Sequence, residues 1–291
     1  MLLMINFYKL LRLQQWLKNI LIFFPLILSF EGFNSENYFQ LLLGFVIFSL
    51  ACSSNYILND IFDLEDDLKH PVNKNRVIPS GLISLNLSKI IFLLLFLIST
   101  ISAYLFNLNF FILVLCYLFT ALIYTLFLKK FPIIDLVVLS SFYIFRILIG
   151  ISIVGIEYYS HWLIIFFFPF FLNLAIIKRL AEVKNRADIN DSKNRPYGKS
   201  DFSRLRLGYF FSLTITSLCF FMYGIRDESI DPNLVFLLLS CFSIFLWNFY
   251  IYRKMLNNVN FFDPFSASIF DNRSILLGAL FISFVYLSNI L

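Results

Sequence analysis

Residues 38–67 read YFQLLLGFVIFSLACSSNYILNDIFDLEDD. The apolar run Tyr38 to Leu58 is long enough to cross a bilayer as a helix, and it passes without interruption into a patch of acid. If the helix continues past Leu58, Asp60, Asp63 and Asp67 stand at i, i+3 and i+7, within roughly 60° of one another on one face. Carboxylates that close raise one another's pKa unless a cation lies among them. Hard oxygen ligands next to anionic substrate groups suit Mg²⁺, which binds through a few carboxylates together with phosphates. Asn59 adds an amide oxygen, and Lys69, Lys74 and Arg76 follow at once. A solvated acidic loop capped by Asn59 is the plainer alternative.

The rest of the chain extends the same pattern. Of 291 residues, 60% are apolar, 20% aromatic and 14% charged, which excludes an ordinary soluble domain, where roughly a quarter are charged. Eight further apolar runs accompany the one quoted: Leu17 to Phe30, Leu85 to Phe106, Phe110 to Leu128, Phe131 to Ile156, Trp162 to Ile177, Leu207 to Ile225, Leu234 to Tyr252 and Ser274 to Leu291. The expectation is an all-α, polytopic membrane protein of nine transmembrane helices, a single domain over residues 1–291. The first run lacks an A-x-A cleavage site after it and is expected to be a retained helix. Of the 23 Lys and Arg, only Arg226 lies in the connections after runs one, three, five and seven. Cytoplasmic loops retain basic residues, so the N-terminus is expected in the cytoplasm and the C-terminus outside, in the cytoplasmic membrane. The net charge of +5 is a topology signal with a secondary attraction to anionic membrane lipids, and it gives no reason to expect nucleic acid. Cys52, Cys116, Cys219 and Cys241 sit singly in apolar runs, without metal-ligand or disulfide spacing.

Two loops hold most of the polarity. The second, after the sixth run, reads KRLAEVKNRADINDSKNRPYGKSDFSRLR. In a helix, Lys178, Arg179, Glu182 and Arg186 share about 100° of arc, a basic face with one embedded carboxylate that matches a phosphate-rich ligand. The distal Lys193, Arg195, Lys199, Arg204 and Arg206 are equally accounted for as topology signals. Arg146 lies inside an apolar run, where a guanidinium costs at least ~2.5–3.5 kcal/mol, so it is expected to face a wet or anionic interior. Asp135 shares its face but lies about 16 Å away along the helix, too far for direct pairing. Lys18 is a second cation at the edge of an apolar run. His70 and His161 have no partner at metal-ligand spacing. Nucleophile elbow, Walker loop and dinucleotide fingerprint are absent from the sequence.

Asn59, Asp60, Asp63 and Asp67 reproduce N-D-x-x-D-x-x-x-D, and with it the chain resembles the UbiA superfamily of intramembrane prenyltransferases. The resemblance implies nine helices around a central cavity open toward the cytoplasmic face, with this motif holding Mg²⁺ and a diphosphate. The family's second acidic motif, D-x-x-x-D after the sixth helix, is replaced here by KRLAEV. That replacement, with LRLQQWLKNILIFFP, YILNDIFDLEDDLKHP, LKKFPIIDL, FRILIG and DPFSASIFDNR, resembles the branch typified by decaprenyl-phosphate phosphoribosyltransferase. Asn73 and Val77 depart from that branch, which usually has Lys and Pro there.

The resemblance implies Mg²⁺-dependent transfer of a 5-phosphoribosyl group from 5-phosphoribosyl 1-diphosphate to a polyprenyl phosphate. Asp60, Asp63 and Asp67 would be the catalytic metal ligands. Asn59, Lys18, Lys74, Arg76, Arg146, Lys178, Arg179 and Glu182 would be the substrate-binding set. Two other readings stay open: a prenyltransferase joining a polyprenyl diphosphate to an aromatic acceptor, and an ion-coupled transporter using Asp63, Asp135 and Arg146. Transport predicts charges near the midplane of several helices, whereas the acids here concentrate at one membrane face.

Overall fold

The structure is a computed structural model that describes residues 2–24, 35–69, 73–155, 161–185, 197–226, 233–257 and 263–290. Every regular element among them is helical. Helix α1 (Leu2–Leu10) leads into a 3-10 helix (Leu13–Phe23), then come α2 (Ser35–Phe62), the short α3 (Leu64–Lys69), α4 (Leu85–Phe106), α5 (Leu108–Leu126) and α6 (Ile134–Val154). They are followed by α7 (His161–Asn185), α8 (Phe202–Arg226), α9 (Leu234–Asn257), the short α10 (Pro264–Ile269) and α11 (Asn272–Ile290).

Seven of these helices are long and apolar enough to cross a membrane, and Asn272–Ser288 forms a shorter apolar helix. The expected count of nine is thus not met among the described residues. The two runs that fall short are the ninth, which forms that shorter helix, and the first, whose described part is the 3-10 helix and whose residues 25–30 fall outside the description. An eleven-residue 3-10 helix is long for a geometry that rarely exceeds one turn. Side-chain bonds to α2 hold it: Trp16 Nε1 donates to Ser53 Oγ at 2.9 Å and Asn19 Nδ2 to Ser49 Oγ at 2.8 Å. Ser53 Oγ in turn donates to the Leu11 carbonyl at 2.8 Å. Ser49 and Ser53, one turn apart on α2, therefore form a polar rail for the entering chain.

The chain divides into two compact units. The first comprises residues 1–138, 145–156 and 192–195. In it α2 packs on α4 and α5, and Gly44 lets α6 approach so closely that an added Cβ would overlap the Ile153 side chain. Asn107, extended between α4 and α5, caps α5 by accepting from the amides of Asn109 at 2.8 Å and Phe110 at 3.2 Å. Leu10, Ile57, Val77, Ile78 and Ile83 form a buried cluster, and through Val77 and Ile78 it anchors the loop carrying Arg76.

The second unit comprises residues 139–144, 157–191 and 196–291. Its interior is aromatic: Tyr143 stacks on Phe171 with centroids 4.8 Å apart, and Tyr209 on Tyr252 at 4.5 Å. Within it, α7 packs against α8, where Asn173 Nδ2 donates to Thr216 Oγ1 at 2.9 Å. Lys184 donates to the Leu256 carbonyl at the end of α9 at 2.7 Å, which suits a cation at a helix C-terminus.

Candidate active site

Helix α2 ends at Phe62, yet its hydrogen bonding carries through the turn. Asp63 N–H donates to the Asn59 carbonyl at 2.9 Å and Asp67 N–H to the Asp63 carbonyl at 2.8 Å. The helical spacing read from the sequence therefore survives the break, and Asp60, Asp63 and Asp67 lie along one continued face. Asp60 and Asp67 are buried, where unpaired charge is costly.

The compensating cations come from the chain itself. Arg12 pairs with Asp60 Oδ1, and Arg76 Nη1 reaches the same oxygen at 3.3 Å and Asp67 Oδ2 at 2.7 Å. Lys129 Nζ lies 2.5 Å from Asp63 Oδ1. Amides complete the set: Asn59 Nδ2 donates to Asp63 Oδ2 at 3.1 Å, and Asn73 Nδ2 to Asp67 Oδ1 at 2.8 Å. Thr125 Oγ1 donates to Asn59 Oδ1 at 3.2 Å, which fixes the orientation of that amide.

Four members of this network escape sequence reasoning as site residues: Arg12, Asn73, Thr125 and Lys129. Arg12 and Lys129 read as ordinary basic residues at membrane edges, and only their place inside LRLQQWLKNILIFFP and LKKFPIIDL marked them. Arg12 carries a further signature in its backbone, with φ 50° and ψ 47°. The left-handed region is disfavoured for a residue bearing a Cβ, and it recurs where function fixes the chain. Asn73 occupies the place of a usual Lys and still serves the acidic face. Lys74, expected at the site, lies exposed on the adjacent turn outside the network.

Arg146 is 3% exposed. Its Nε donates to Asn19 Oδ1 at 2.9 Å, and its guanidinium carbon lies 5.8 Å from the Phe48 ring centroid and 5.7 Å from that of Tyr117. These cation–π contacts and the amide replace some of the water lost on burial. Asp135, also buried, accepts from Tyr124 Oη at 2.8 Å. Lys18 is half-buried in the 3-10 helix, one residue before Asn19.

The second unit holds the other predicted group. Arg179 is 1% exposed, and its Nη1 lies 2.6 Å from Glu182 Oε2, one turn on along α7. Lys178 is half-buried beside it. Lys199, Arg204 and Arg206 are exposed. His70, Arg186, Lys193 and Arg195 lie outside the described residues, and the His161 side chain is likewise not described.

Among the described residues, no three His, Cys, Asp or Glu side chains converge as a ready-made metal centre. The chemistry of the donor set nevertheless fits a hard divalent cation. Six carboxylate oxygens and the Asn59 amide lie on one face, and Asp60 Oδ2 makes no hydrogen bond among the described residues. A metal there would displace Arg12, Arg76 or Lys129 from its carboxylate and free that cation for an anionic ligand.

Long apolar helices thus carry, where one of them ends, an acidic face threaded with basic side chains. Residues 20–269 match the UbiA prenyltransferase family, and the chain belongs to that family as a multi-pass membrane protein. It is 30% identical over 281 residues to the protein y4nM of Sinorhizobium fredii (strain NBRC 101917 / NGR234), covering 94% of this chain and 54% of that protein. The chain thus spans about half the length of that relative. It is 27% identical over 224 residues to a Mycobacterium tuberculosis (strain CDC 1551 / Oshkosh) protein named decaprenyl-phosphate phosphoribosyltransferase, covering 76% of this chain and 74% of that one. The solved structure of a UbiA homolog from Archaeoglobus fulgidus, bound to DMAPP and Mg²⁺, has the same fold. The TM-score is 0.71 at 15% identity, over 98% of this chain and 100% of that chain.

Proposed function

We propose that the protein transfers the 5-phosphoribosyl group of 5-phosphoribosyl 1-diphosphate to a polyprenyl phosphate at the cytoplasmic face of the membrane, releasing diphosphate. The observation that carries the reading is the Arg179–Glu182 pair, 2.6 Å apart and buried at the arginine, where the resemblance leads one to expect a second acidic motif. A prenyl diphosphate presents one anionic group. The ribosyl donor presents two, so an acidic site and a basic site on one chain suit it. The name of the mycobacterial relative supports the same substrate.

In this reading an oxygen of the lipid phosphate forms the new bond to the anomeric carbon, and the bond from that carbon to diphosphate breaks with its electron pair leaving on diphosphate. The acceptor is already an anion, so the chain has no proton to remove from it. Asp60, Asp63 and Asp67, with Asn59, would hold Mg²⁺, which supplies positive charge against the departing diphosphate. Arg12, Arg76 and Lys129 bind donor phosphate oxygens once released from the carboxylates, and they stabilise the charge that develops as the bond breaks. Arg179 and Lys178 bind the 5-phosphate, with Glu182 orienting the guanidinium. Lys18 and Arg146 hold the lipid phosphate or the segment that receives it. The N-terminus is cytoplasmic and the C-terminus outside, consistent with the distribution of Lys and Arg.

The test uses the purified chain in lipid nanodiscs with labelled 5-phosphoribosyl 1-diphosphate, decaprenyl phosphate and Mg²⁺. Label is expected in the lipid phase, dependent on all three. Consumption of a prenyl diphosphate with an aromatic acid, and none of the ribosyl donor, would replace this reading with the prenyltransferase one.

A further inference from the structure

Thr125 and Lys129, which meet Asn59 and Asp63, stand on either side of the end of α5, and the chain that follows is held in a strained form. Beyond the 3-10 turn Leu128–Lys130 comes Ile133, with φ 67° and ψ −52°, and the Ile134 N–H donates to the Pro132 carbonyl at 2.7 Å. Those angles and that bond define a γ-turn of the rare, strained kind. A positive φ is a genuine outlier for a β-branched residue. Ile133 is also 71% exposed, so packing of its side chain does little to hold the turn. Strained backbone persists only where its surroundings over-determine it, and it gathers at functional sites.

Two contacts supply that constraint. At the acidic face, Lys129 is fixed to Asp63 Oδ1. At the base of the turn, Tyr124 Oη donates to Asp135 Oδ1 at 2.8 Å and ties the last turn of α5 to the first turn of α6. Asp135 is fully buried, and Thr125, the neighbour of Tyr124, donates to Asn59. Lys129 lies between the two tied residues in sequence. We infer that Asp135 is a positioning residue: acting through Tyr124, it clamps the strained turn and so holds Lys129 at the acidic face. The inference rests on the reading of Lys129 as a ligand of donor phosphate, and deepens it by naming the pair that sets where that cation stands. Without the clamp the γ-turn relaxes, and the segment carrying Lys129 moves away from Asp63. The tolerance is small, because a misplacement of about 1 Å costs on the order of 100-fold in rate.

The test reads the position of Lys129 directly. Reductive dimethylation of the purified protein in nanodiscs, followed by peptide mass spectrometry, compares the buried Lys129 with the exposed Lys130 beside it. Tyr124→Phe and Asp135→Leu should each raise the ratio of Lys129 to Lys130 modification about tenfold. Asp135→Asn, which keeps an acceptor for Tyr124, should leave it within about twofold. Cys52, buried on α2 in the same unit, should stay closed to N-ethylmaleimide in all of these variants. An unchanged ratio in Tyr124→Phe would overturn the assignment, and so would a rise matched by exposure of Cys52, since the pair would then merely support the fold. Should Asp135→Leu not fold, Tyr124→Phe decides. Glycine takes a positive φ without the penalty, so adding Ile133→Gly to Tyr124→Phe should bring the ratio at least halfway back, and a ratio that stays high would also overturn the assignment. These measurements use no substrate, so failure of the phosphoribosyl reading shows separately, as absent transfer by the wild-type protein. In turnover, Tyr124→Phe should lower kcat about tenfold when Lys129 is present and less than about twofold in the Lys129→Met background, whereas fully additive losses would contradict action through Lys129.

Discussion

Lys129, in the turn after α5, reaches Asp63 at the end of α2 with Nζ 2.5 Å from Oδ1, joining two helices 66 residues apart in sequence through one ion pair. The lysine is buried and the carboxylate half-buried. A cation so placed competes with any metal for the same oxygen. Lys129→Met should therefore lower the Mg²⁺ concentration needed for half-maximal thermal stabilisation in the absence of donor. It should also reduce turnover about 10- to 150-fold, the loss of one charge-assisted contact worth 1.5–3 kcal/mol. Asp63→Asn should abolish turnover and remove the Mg²⁺ response while the protein still reaches the membrane. Unchanged Mg²⁺ dependence in Lys129→Met would make the pair a structural tie and nothing more.

Arg146 and Asn19 form the corresponding relationship deeper in the first unit, at 2.9 Å. Arg146→Leu removes the donor to a buried amide and the cation between two rings, and it should cost roughly 1.5–3 kcal/mol of stability. Because Asn19 belongs to the 3-10 helix with Arg12 and Lys18, activity should fall further than the folded fraction does. Arg146→Lys lacks the Nε–H and should not restore it. A double-mutant cycle with Asn19→Ala, followed by denaturation and by turnover, separates the two effects. Loss of stability with full activity in the folded fraction would confine Arg146 to a structural role.

Arg179→Ala should raise the KM for 5-phosphoribosyl 1-diphosphate by the equivalent of about 1.5–3 kcal/mol while leaving the KM for the lipid within twofold. Glu182→Gln keeps the hydrogen bond to Arg179 without its charge and should show a smaller shift of the same sign. Steady-state kinetics with each substrate varied in turn decides the matter, and an effect confined to the lipid KM contradicts the assignment.

Asp271 begins α11 in the second unit. Burial alone would raise its pKa, but hydrogen bonds from Lys254, the Ser274 N–H and Tyr250, with the charge of Lys254, hold it below the ordinary carboxylate value. Lys254 Nζ lies 2.6 Å away and the Ser274 N–H 2.9 Å. A depressed folded pKa contributes stability above the unfolded value of about 3.9 and loses it as pH falls through the folded value. The melting temperature should therefore drop on acidification from about pH 5 to about pH 3, and Asp271→Asn, which keeps the helix cap, should flatten that slope. An identical slope in the variant would remove Asp271 from the acid response.

Sequence alone determined what depends on local order. Hydropathy marked the helices, because a bilayer requires each span to satisfy its own backbone and to be apolar along its length. Runs such as Leu85 to Phe106 and Leu234 to Tyr252 coincide with helices to within a few residues. The acidic face was legible for the same reason: Asp60, Asp63 and Asp67 lie within two turns of one helix path, where spacing fixes geometry. Of its partners only Arg76 stood out, by its place just after the acids; Arg12, Asn73 and Lys129 come from three different stretches of chain, and each reads as a plain polar residue until packing brings it to a carboxylate. The 3-10 form of the first run also belongs to the tertiary structure, since it follows from bonds to Ser49 and Ser53 on another helix. So does the fate of Arg146. Its burial was foreseeable from its place in an apolar run, but an amide 127 residues away and two aromatic rings are contacts that only the folded chain specifies.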